Sequence, residues 1–145
     1  MAAAGTPPTL TALTTYLLSK TGKAARGRLT ARLAGQGRRL WHMAVLAALA
    51  DFGPHTQREL AERLTIDPSD MVKVLDDLTA ADHVTRTRDP ADRRRVRVTL
   101  TPSGAAALAA QVAEAESVQS ALLAPLTPEE AATLHALLLR VHEAT

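Results

Sequence analysis

Residues 84–100 read V-T-R-T-R-D-P-A-D-R-R-R-V-R-V-T-L, and this stretch decides the fold. From Arg95 to Leu100 polar and apolar residues alternate, which is the period of two expected of a strand with one buried face. Val84–Arg88 is predicted to be its antiparallel partner, because the D-P-A-D at 89–92 between them consists of residues that favour turns. The stretch therefore predicts a β-hairpin.

This hairpin is strongly basic. Six arginines lie between Arg86 and Arg97, against two aspartates, Asp89 and Asp92. Such a density suits contacts with phosphates or with a groove of a nucleic acid. The alternative for Arg93, Arg94 and Arg95 is a turn that is simply solvated.

Two short helices are predicted just before the hairpin. The T-Q-R-E at 56–59 is a capping box, which opens a helix ending near Leu64. Asp67 can cap a second helix with Pro68 at its first position, and this helix continues to about Ala80. The apolar residues available for a shared core are Leu60, Leu64, Ile66, Val74 and Leu78. Two helices joined this tightly make a helix-turn-helix, and the hairpin adds a wing.

Longer helices flank the winged unit. Residues 9–34 have leucines at helical spacing and predict one long helix, bent near Gly22 and ended by Gly35 and Gly37; a second helix is predicted from about Arg39 to Ala50. Thr101-Pro102 restarts a helix after the hairpin, and the T-P-E-E at 127–130 opens the last one. These helices have more apolar surface than one small module needs, so we expect them to pair with a second subunit.

The expected fold class is mainly α with a small β-hairpin wing, a winged helix-turn-helix flanked by N- and C-terminal dimerisation helices. The expected division is a disordered N-terminus at 1–8, an N-terminal helical arm at 9–38, a winged helix-turn-helix lobe at 39–101 and C-terminal dimerisation helices at 102–145.

Composition narrows the function. The chain of 145 residues has no cysteine, so disulfides and thiolate metal sites are excluded, and it lacks a P-loop, a G-x-G-x-x-G and a G-x-S-x-G. We therefore expect that the protein is not an enzyme and that it binds no cofactor and no metal ion. No apolar run approaches the roughly 18 residues of a membrane span, and the N-terminus has no secretory pattern, which favours a cytoplasmic protein.

The charges are segregated along the chain. Residues 1–50 carry seven basic residues and no acidic one, whereas residues 98–145 carry Arg140 against five glutamates, within a net charge of +2. This distribution suits an anionic partner better than an evenly spread solubilising charge would.

Four segments resemble, in their order and spacing, the MarR family of bacterial transcription regulators. They are E-L-A-E-R-L at 59–64, D-P-S-D-M-V at 67–72, R-T-R-D-P-A-D-R-R at 86–94 and V-T-L-T-P-S-G at 98–104. The resemblance implies a two-fold dimer in which each subunit places a recognition helix in the major groove and a wing beside it. It also implies a ligand pocket between the dimerisation helices and the DNA-binding lobe, with ligand binding releasing the DNA.

The resemblance also implies which residues contact DNA. The recognition helix would be 67–80, with Ser69, Asp70 and Lys73 near its DNA-facing start, although Ser69 and Lys73 fit an ordinary helix surface equally well. Arg94 would be the wing arginine that reaches the minor groove, with Asp92 as its orienting partner. The remaining candidates for contacts with DNA are Thr56, Gln57, Arg86, Arg88, Arg93 and Arg95. For Thr56 the cap alone is a sufficient role.

Three residues of scarce types are candidates for an effector site. Tyr16, Trp41 and His42 lie where such a pocket is expected, in a chain with only 2% aromatic residues. They could hold a small aromatic or anionic molecule by stacking and a hydrogen bond, or they could simply pack between helices. His135 and His142 are seven residues apart on the last helix, and exposed histidines near a dimer seam explain them better than a metal site does.

The sequence thus predicts a sequence-specific double-stranded DNA-binding regulator, a small-molecule-responsive repressor that acts as a homodimer on a palindromic operator. The half-sites would lie about one helical turn apart. The alternative is a winged-helix adaptor for protein–protein interaction that does not read DNA. The acidic residues of the predicted recognition helix, Asp70, Asp76 and Asp77, are the best argument for that alternative.

Overall fold

The computed structural model describes residues 5–34 and 39–145, which form helices and one small antiparallel sheet. The helices and strands are α1 (Pro8–Thr11), α2 (Thr14–Ala34), α3 (Leu40–Phe52), β1 (His55–Thr56), α4 (Gln57–Leu64), α5 (Pro68–Ala80), β2 (Val84–Arg88), β3 (Val96–Leu100), α6 (Pro102–Leu122) and α7 (Pro128–Ala144). The chain makes two compact units, one of Thr30–Glu114 and the other of the residues up to Leu29 with Ala115–Thr145. The predicted fold class, mainly α with a small β wing, is confirmed.

The helix-turn-helix forms as its capping residues predict. At the start of α4, the Thr56 hydroxyl accepts a hydrogen bond from Glu59 N at 3.2 Å, and the Glu59 carboxylate accepts one from Thr56 N at 3.0 Å. The hydrogen bond from Thr56 N, followed by one from the Thr56 side chain, lowers the pKa of the Glu59 carboxyl. Thr65 ends α4 in the left-handed region with φ of 53°. At α5 Asp67 is the N-cap and Pro68 the first residue.

The sheet has three strands, in the order β1-β3-β2. β2 and β3 pair antiparallel from Val84 opposite Leu100 to Arg88 opposite Val96, as the alternation predicts. β1 was not predicted. It pairs His55 with Val98 and Thr56 with Arg97, and two residues are too few to show a period of two.

The core of the Thr30–Glu114 unit lies between α3, α4, α5 and the sheet. Its fully buried members are Val45, Leu46, Leu60, Met71, Leu75 and Val98. Met71, Val74, Leu75 and Leu78 form the buried face of α5, at the three-to-four-residue spacing of an amphipathic helix. Burying this face turns the opposite face of α5, with Ser69 and Lys73, towards solvent.

The N-terminal helix differs from its prediction. The interruption lies at Ala12 and Leu13, between α1 and α2, whereas Gly22 lies inside a continuous α2. One glycine costs a helix interior only about 1 kcal/mol, which its neighbours can outweigh. The predicted disorder at 1–8 falls partly, and the predicted helix end at Gly35 and Gly37 wholly, outside the described residues.

Gly104 marks a close approach at the start of α6. A Cβ atom there would overlap the carbonyl oxygen of His83 and lie 2.8 Å from Leu100 Cδ1. Thr101 completes the corner, because its hydroxyl donates to Asp82 O at 2.6 Å and accepts from Gly104 N at 2.9 Å. The L-T-x-x-G pattern therefore packs the end of the wing against α6.

Candidate nucleic-acid interface

The tip of the wing, residues 89–95, is held by short-range hydrogen bonds. Asp89 N donates to Arg95 O and Arg95 N donates to Asp92 O, both at 2.9 Å. The Asp89 carboxylate accepts from Ala91 N, also at 2.9 Å. The wing tip is therefore an ordered turn that can hold its side chains at defined positions.

Arg94 projects from the wing tip and is oriented by Asp92. Its side chain is 91% exposed, yet its Nε lies 3.1 Å from Asp92 Oδ1 and its Nη2 lies 3.3 Å from Oδ2. Arg94 N also donates to Asp92 Oδ1, at 3.0 Å. The hydrogen bonds from the Arg94 side chain, then the one from its backbone, lower the pKa of Asp92. The pair that the resemblance implied is thus present.

The other wing arginines divide into two groups. Arg93 and Arg95 are exposed beside Arg94, so these three cations come together at the tip. Arg88 donates from Nη1 to Arg93 O at 2.8 Å and braces the turn. Arg86 is only 26% exposed and its Nη1 lies 2.8 Å from Asp76 Oδ1, so its guanidinium is directed to α5 and not to the tip.

The first turns of α5 carry the predicted recognition residues. Ser69 and Lys73 are exposed one turn apart, and we call the surface they form the reading face. The Ser69 hydroxyl donates to Asp67 Oδ1 at 2.5 Å, and Ser69 N donates to the same atom at 2.9 Å. These bonds lower the pKa of Asp67. Asp70 is half-buried beside the reading face.

An open groove of about 1000 Å³ separates the wing from the helix-turn-helix. It is lined by the starts of α4 and α5 and by the wing, including Thr56, Gln57, Arg58, Pro68, Asp92, Arg94 and Arg95. Thr56 is 95% buried with its hydroxyl engaged in the cap, so only its edge reaches the groove, whereas Gln57 is half-buried. Arg58 was missed from the sequence. It is exposed, pairs with Glu62 at 3.1 Å, and could have been found from its place in the first turn of α4.

Two carboxylates on the second half of α5 have partners that the sequence did not reveal. Asp76 pairs with Arg86 of β2, and Asp77 Oδ2 lies 2.9 Å from His42 Nε2 of α3. The predicted acidic character of α5 is therefore partly balanced within the chain. No local pattern could predict this, because the partners lie 10 and 35 residues away in sequence.

The three candidates for effector binding have different surroundings. Trp41 is 44% exposed at the start of α3. His42 next to it is buried, and its Nδ1 has no hydrogen-bond partner among the described residues. Tyr16 belongs to the other compact unit, where Lys20 Nζ lies 5.6 Å from its ring centroid.

Two further observations concern the described residues alone. No group of three or more His, Asp or Glu side chains within 5–34 and 39–145 could hold a metal ion. None of the helices described in those ranges is both long enough and apolar enough to cross a membrane.

Comparison with known proteins agrees with this geometry. A sequence profile of the MarR family matches residues 36–95. The HTH-type transcriptional repressor NicR of Pseudomonas putida is 36% identical over 85 residues, a match that covers 59% of this chain and 54% of NicR. The chain thus matches about half the length of this curated relative.

Solved structures match over nearly the whole chain. Wild-type apo MarR from E. coli superimposes with a TM-score of 0.80 at 27% identity, covering 89% of this chain and 96% of that one. BpsR of Bordetella bronchiseptica, whose DNA binding is regulated by 6-hydroxynicotinic acid, superimposes with a TM-score of 0.72 at 27% identity, covering 88% and 97%. Profile, relative and structures agree with the winged helix-turn-helix seen here, and all of them liken this chain to the MarR family of transcription regulators.

Proposed function

We propose that this regulator is a sequence-specific double-stranded DNA-binding repressor that acts as a homodimer on a palindromic operator and responds to a small molecule. The observation that carries the proposal is Arg94, a cation that is 91% exposed and yet held in one orientation by Asp92. An arginine with nothing to bind gains little from such order, because exposed ion pairs contribute at most about 1 kcal/mol to stability. An ordered arginine at this position is favoured when it enters a DNA minor groove, where the negative potential attracts its charge.

The two parts of the interface would engage one stretch of duplex. The reading face of α5 enters the major groove, and the wing tip reaches the adjacent minor groove. The groove between them, with Arg58, Arg94 and Arg95 along it, takes the phosphate strand that separates the two DNA grooves. In this arrangement Arg93 and Arg95 contact phosphates, Gln57 contacts phosphate from the start of α4, and Arg88 supports the wing tip from behind.

Some candidate residues contribute indirectly. Thr56 is a cap whose burial leaves it little access to DNA, and Ser69 must share its hydroxyl with Asp67. Arg86 acts through Asp76 and not on a phosphate. Lys73 and Asp70 are the side chains of α5 that can approach base edges without giving up a hydrogen bond.

The homodimer rests on apolar surface that one chain leaves uncovered. α7, all of which the structure describes, has no buried residue although it carries Leu137, Leu138, Leu139 and Val141. Leu13, Leu17 and Leu18 are also about half exposed. Apolar residues repeated along helices in this way are typical of a subunit interface. A two-fold dimer would present two recognition helices to one palindromic site.

The effector proposal rests on α3 and on one relative. BpsR responds to 6-hydroxynicotinic acid, an anionic heteroaromatic. In this chain Trp41 offers an exposed ring for stacking, and His42 offers a buried Nδ1 without a partner among the described residues. Tyr16 lies in the other compact unit and stays a candidate from the sequence alone. We therefore propose an aromatic or anionic effector of this class, in a protein that works in the cytoplasm where its DNA is.

The adaptor alternative loses part of its support. It depended on the acidic character of α5, but Asp76 and Asp77 are paired with Arg86 and His42. Asp67, Asp70 and Asp77 remain as carboxylates near the reading face, whereas the exposed arginines Arg93, Arg94 and Arg95 cluster on the wing tip. The wing tip is thus the basic part of the interface, and this part favours a nucleic acid.

Selection from a library of random duplexes tests the proposed function. The purified protein should enrich an inverted repeat with half-site centres about one helical turn apart, or a multiple of it. The Arg94→Ala variant should enrich it poorly. Failure of the wild-type protein to enrich any sequence would contradict the proposal and favour the alternative, an adaptor for protein–protein interaction.

A further inference from the structure

The direction in which α5 presents the reading face depends on its rotation about its own axis. A rotation of about 20° moves a side-chain tip roughly 6 Å from the axis by about 2 Å. Hydrogen bonds to base edges tolerate only a few tenths of an ångström. Small errors in rotation therefore cost specificity while they leave the longer-range attraction of cations for phosphates almost unchanged.

The apolar contacts of α5 set its rotation only coarsely. Met71, Leu75 and their neighbours bury one face, but dispersion and hydrophobic contacts have little directional preference. Ion pairs and hydrogen bonds are directional. Polar contacts at the flanks of the helix can therefore fix the rotation of α5 more closely than its apolar face does.

Two such contacts hold α5 at the two flanks of the reading face. Because successive residues of an α-helix are about 100° apart, Asp76 and Asp77 lie on the two sides of the reading face. Asp76 is held by Arg86 at 2.8 Å, from β2 of the wing. Asp77 accepts a hydrogen bond from His42 Nε2 at 2.9 Å, from α3.

The His42 contact has the properties of a fixed anchor. The His42 side chain is 9% exposed, so the ring is held by its surroundings, whereas the Asp77 side chain is 64% exposed and reaches inward to meet it. A hydrogen bond at such a buried donor is stronger than one in water. The carboxylate can only accept, so the bond is the same whichever proton the other ring nitrogen carries.

We propose that Asp77 with His42 and Asp76 with Arg86 are positioning pairs, which set the rotation of α5 and so determine sequence specificity without touching DNA. This inference rests on the proposed function. It explains why a helix offered to a polyanion keeps two carboxylates beside its reading face: each is needed for an intramolecular contact and does not serve as a ligand of the DNA.

The positioning role and simple electrostatics predict opposite effects. If Asp77 only repelled phosphates, the Asp77→Ala variant would bind every duplex more tightly. If Asp77 positions α5, this variant should lose about tenfold of its preference for a selected duplex over a scrambled one, the size expected for a lost hydrogen bond to a charged group. Asp77 is exposed and supports no part of the apolar core, and a cooperative melting transition well above the temperature of the binding measurement checks that the variant is folded.

The Asp77→Asn variant is the matched control. It removes the same charge but keeps an oxygen that accepts from His42 Nε2, so its preference should stay within about twofold of the wild type. Asp51→Ala removes a carboxylate from the exposed end of α3 and should change binding to both duplexes equally. Asp76→Ala should resemble Asp77→Ala.

The probes are a 30-base-pair duplex selected by the wild-type protein and its scrambled version, measured by fluorescence anisotropy. Asp77→Ala losing preference while Asp77→Asn keeps it supports the inference. Equal behaviour of the two variants, or tighter binding of Asp77→Ala to both duplexes, overturns it and leaves the proposed function intact. If the wild-type protein selects no duplex at all, the proposed function fails, and this inference fails with it.

Discussion

Arg94 shows how a single exposed side chain is ordered in this protein. A long, charged side chain at 91% exposure would ordinarily sample many rotamers, and ordering it on a partner costs entropy. Here Asp92 restricts it through its side chain and its backbone. Part of the entropic cost of binding is therefore met before any partner arrives.

The Arg94→Ala variant should bind a selected duplex more weakly by about 1–3 kcal/mol, the range typical of arginines that contact a groove. The measurement is fluorescence anisotropy at moderate salt. Arg140→Ala, which removes an exposed cation from α7, is the control and should bind as the wild type does. An Arg94→Ala protein with unchanged affinity would contradict the role of the wing.

The Asp92 carboxyl should titrate below its ordinary pKa, because Arg94 donates hydrogen bonds to its charged form. Because this pKa is lower in the folded than in the unfolded chain, the charged carboxyl stabilises the wing tip at pH values above the pKa of the unfolded chain. That stabilisation is lost as the pH falls through the folded value. Carbon-13 NMR of the Asp92 carboxyl measures this directly. In the Arg94→Ala variant the pKa of Asp92 should rise towards its ordinary value. An ordinary pKa already in the wild-type protein would contradict the pairing.

Residue-level predictions from the sequence were good where partners are near in the chain. Asp92 and Arg94 are two residues apart, so a motif carries their geometry. Arg86 was expected at the DNA because it belongs to the same run of arginines, but its side chain lies on the same sheet face as Val98, to which it is opposite, and meets Asp76. His42 and Asp77 could not be paired without the fold.

At the scale of helices and strands, local signals decide what can be predicted. The capping boxes at Thr56 and Thr127 both form, because each depends on side chains three residues apart. β1 exists only through its partner β3, and so the sequence of His55-Thr56 alone does not encode it. The helix break at Ala12 and Leu13 has no glycine or internal proline to mark it.

Gly104→Ala should destabilise the protein by about 1–3 kcal/mol, because the added methyl group meets the backbone of His83, which cannot move as a flexible side chain could. Gly22→Ala is the contrasting variant. Nothing lies within 4 Å of a Cβ there, so alanine should stabilise α2 by about 0.5–1 kcal/mol. Urea unfolding followed by circular dichroism compares the two. A Gly104→Ala protein as stable as the wild type would contradict the close approach.

At the scale of the whole molecule, sequence and structure of one chain indicate an assembly without displaying it. Leu134, Leu137, Leu138 and Val141 recur every three or four residues and indicate a helix with one apolar face. Within the single chain, α7 has no buried residue. A period in the sequence shows which face is apolar. It does not show what covers that face, for which the proposed cover is a second copy of the chain.

The wild-type protein should sediment as a dimer at micromolar concentration. Replacing both Leu137 and Val141 with glutamate should give a folded monomer, since the two side chains are 50% and 56% exposed in one chain and support no core. Glu143→Ala on the same helix should remain dimeric. Analytical ultracentrifugation makes the comparison, and a wild-type protein that sediments as a monomer would contradict the proposed assembly.

The central claim is that the wing and α5 together read duplex DNA. The most direct measurement is the affinity of the wild-type protein for its selected duplex and for a scrambled one, across a series of salt concentrations. We predict a preference of at least about a thousandfold, with both affinities falling steeply as salt rises because arginines displace counterions. Equal affinity for the two duplexes at every salt concentration would contradict the claim.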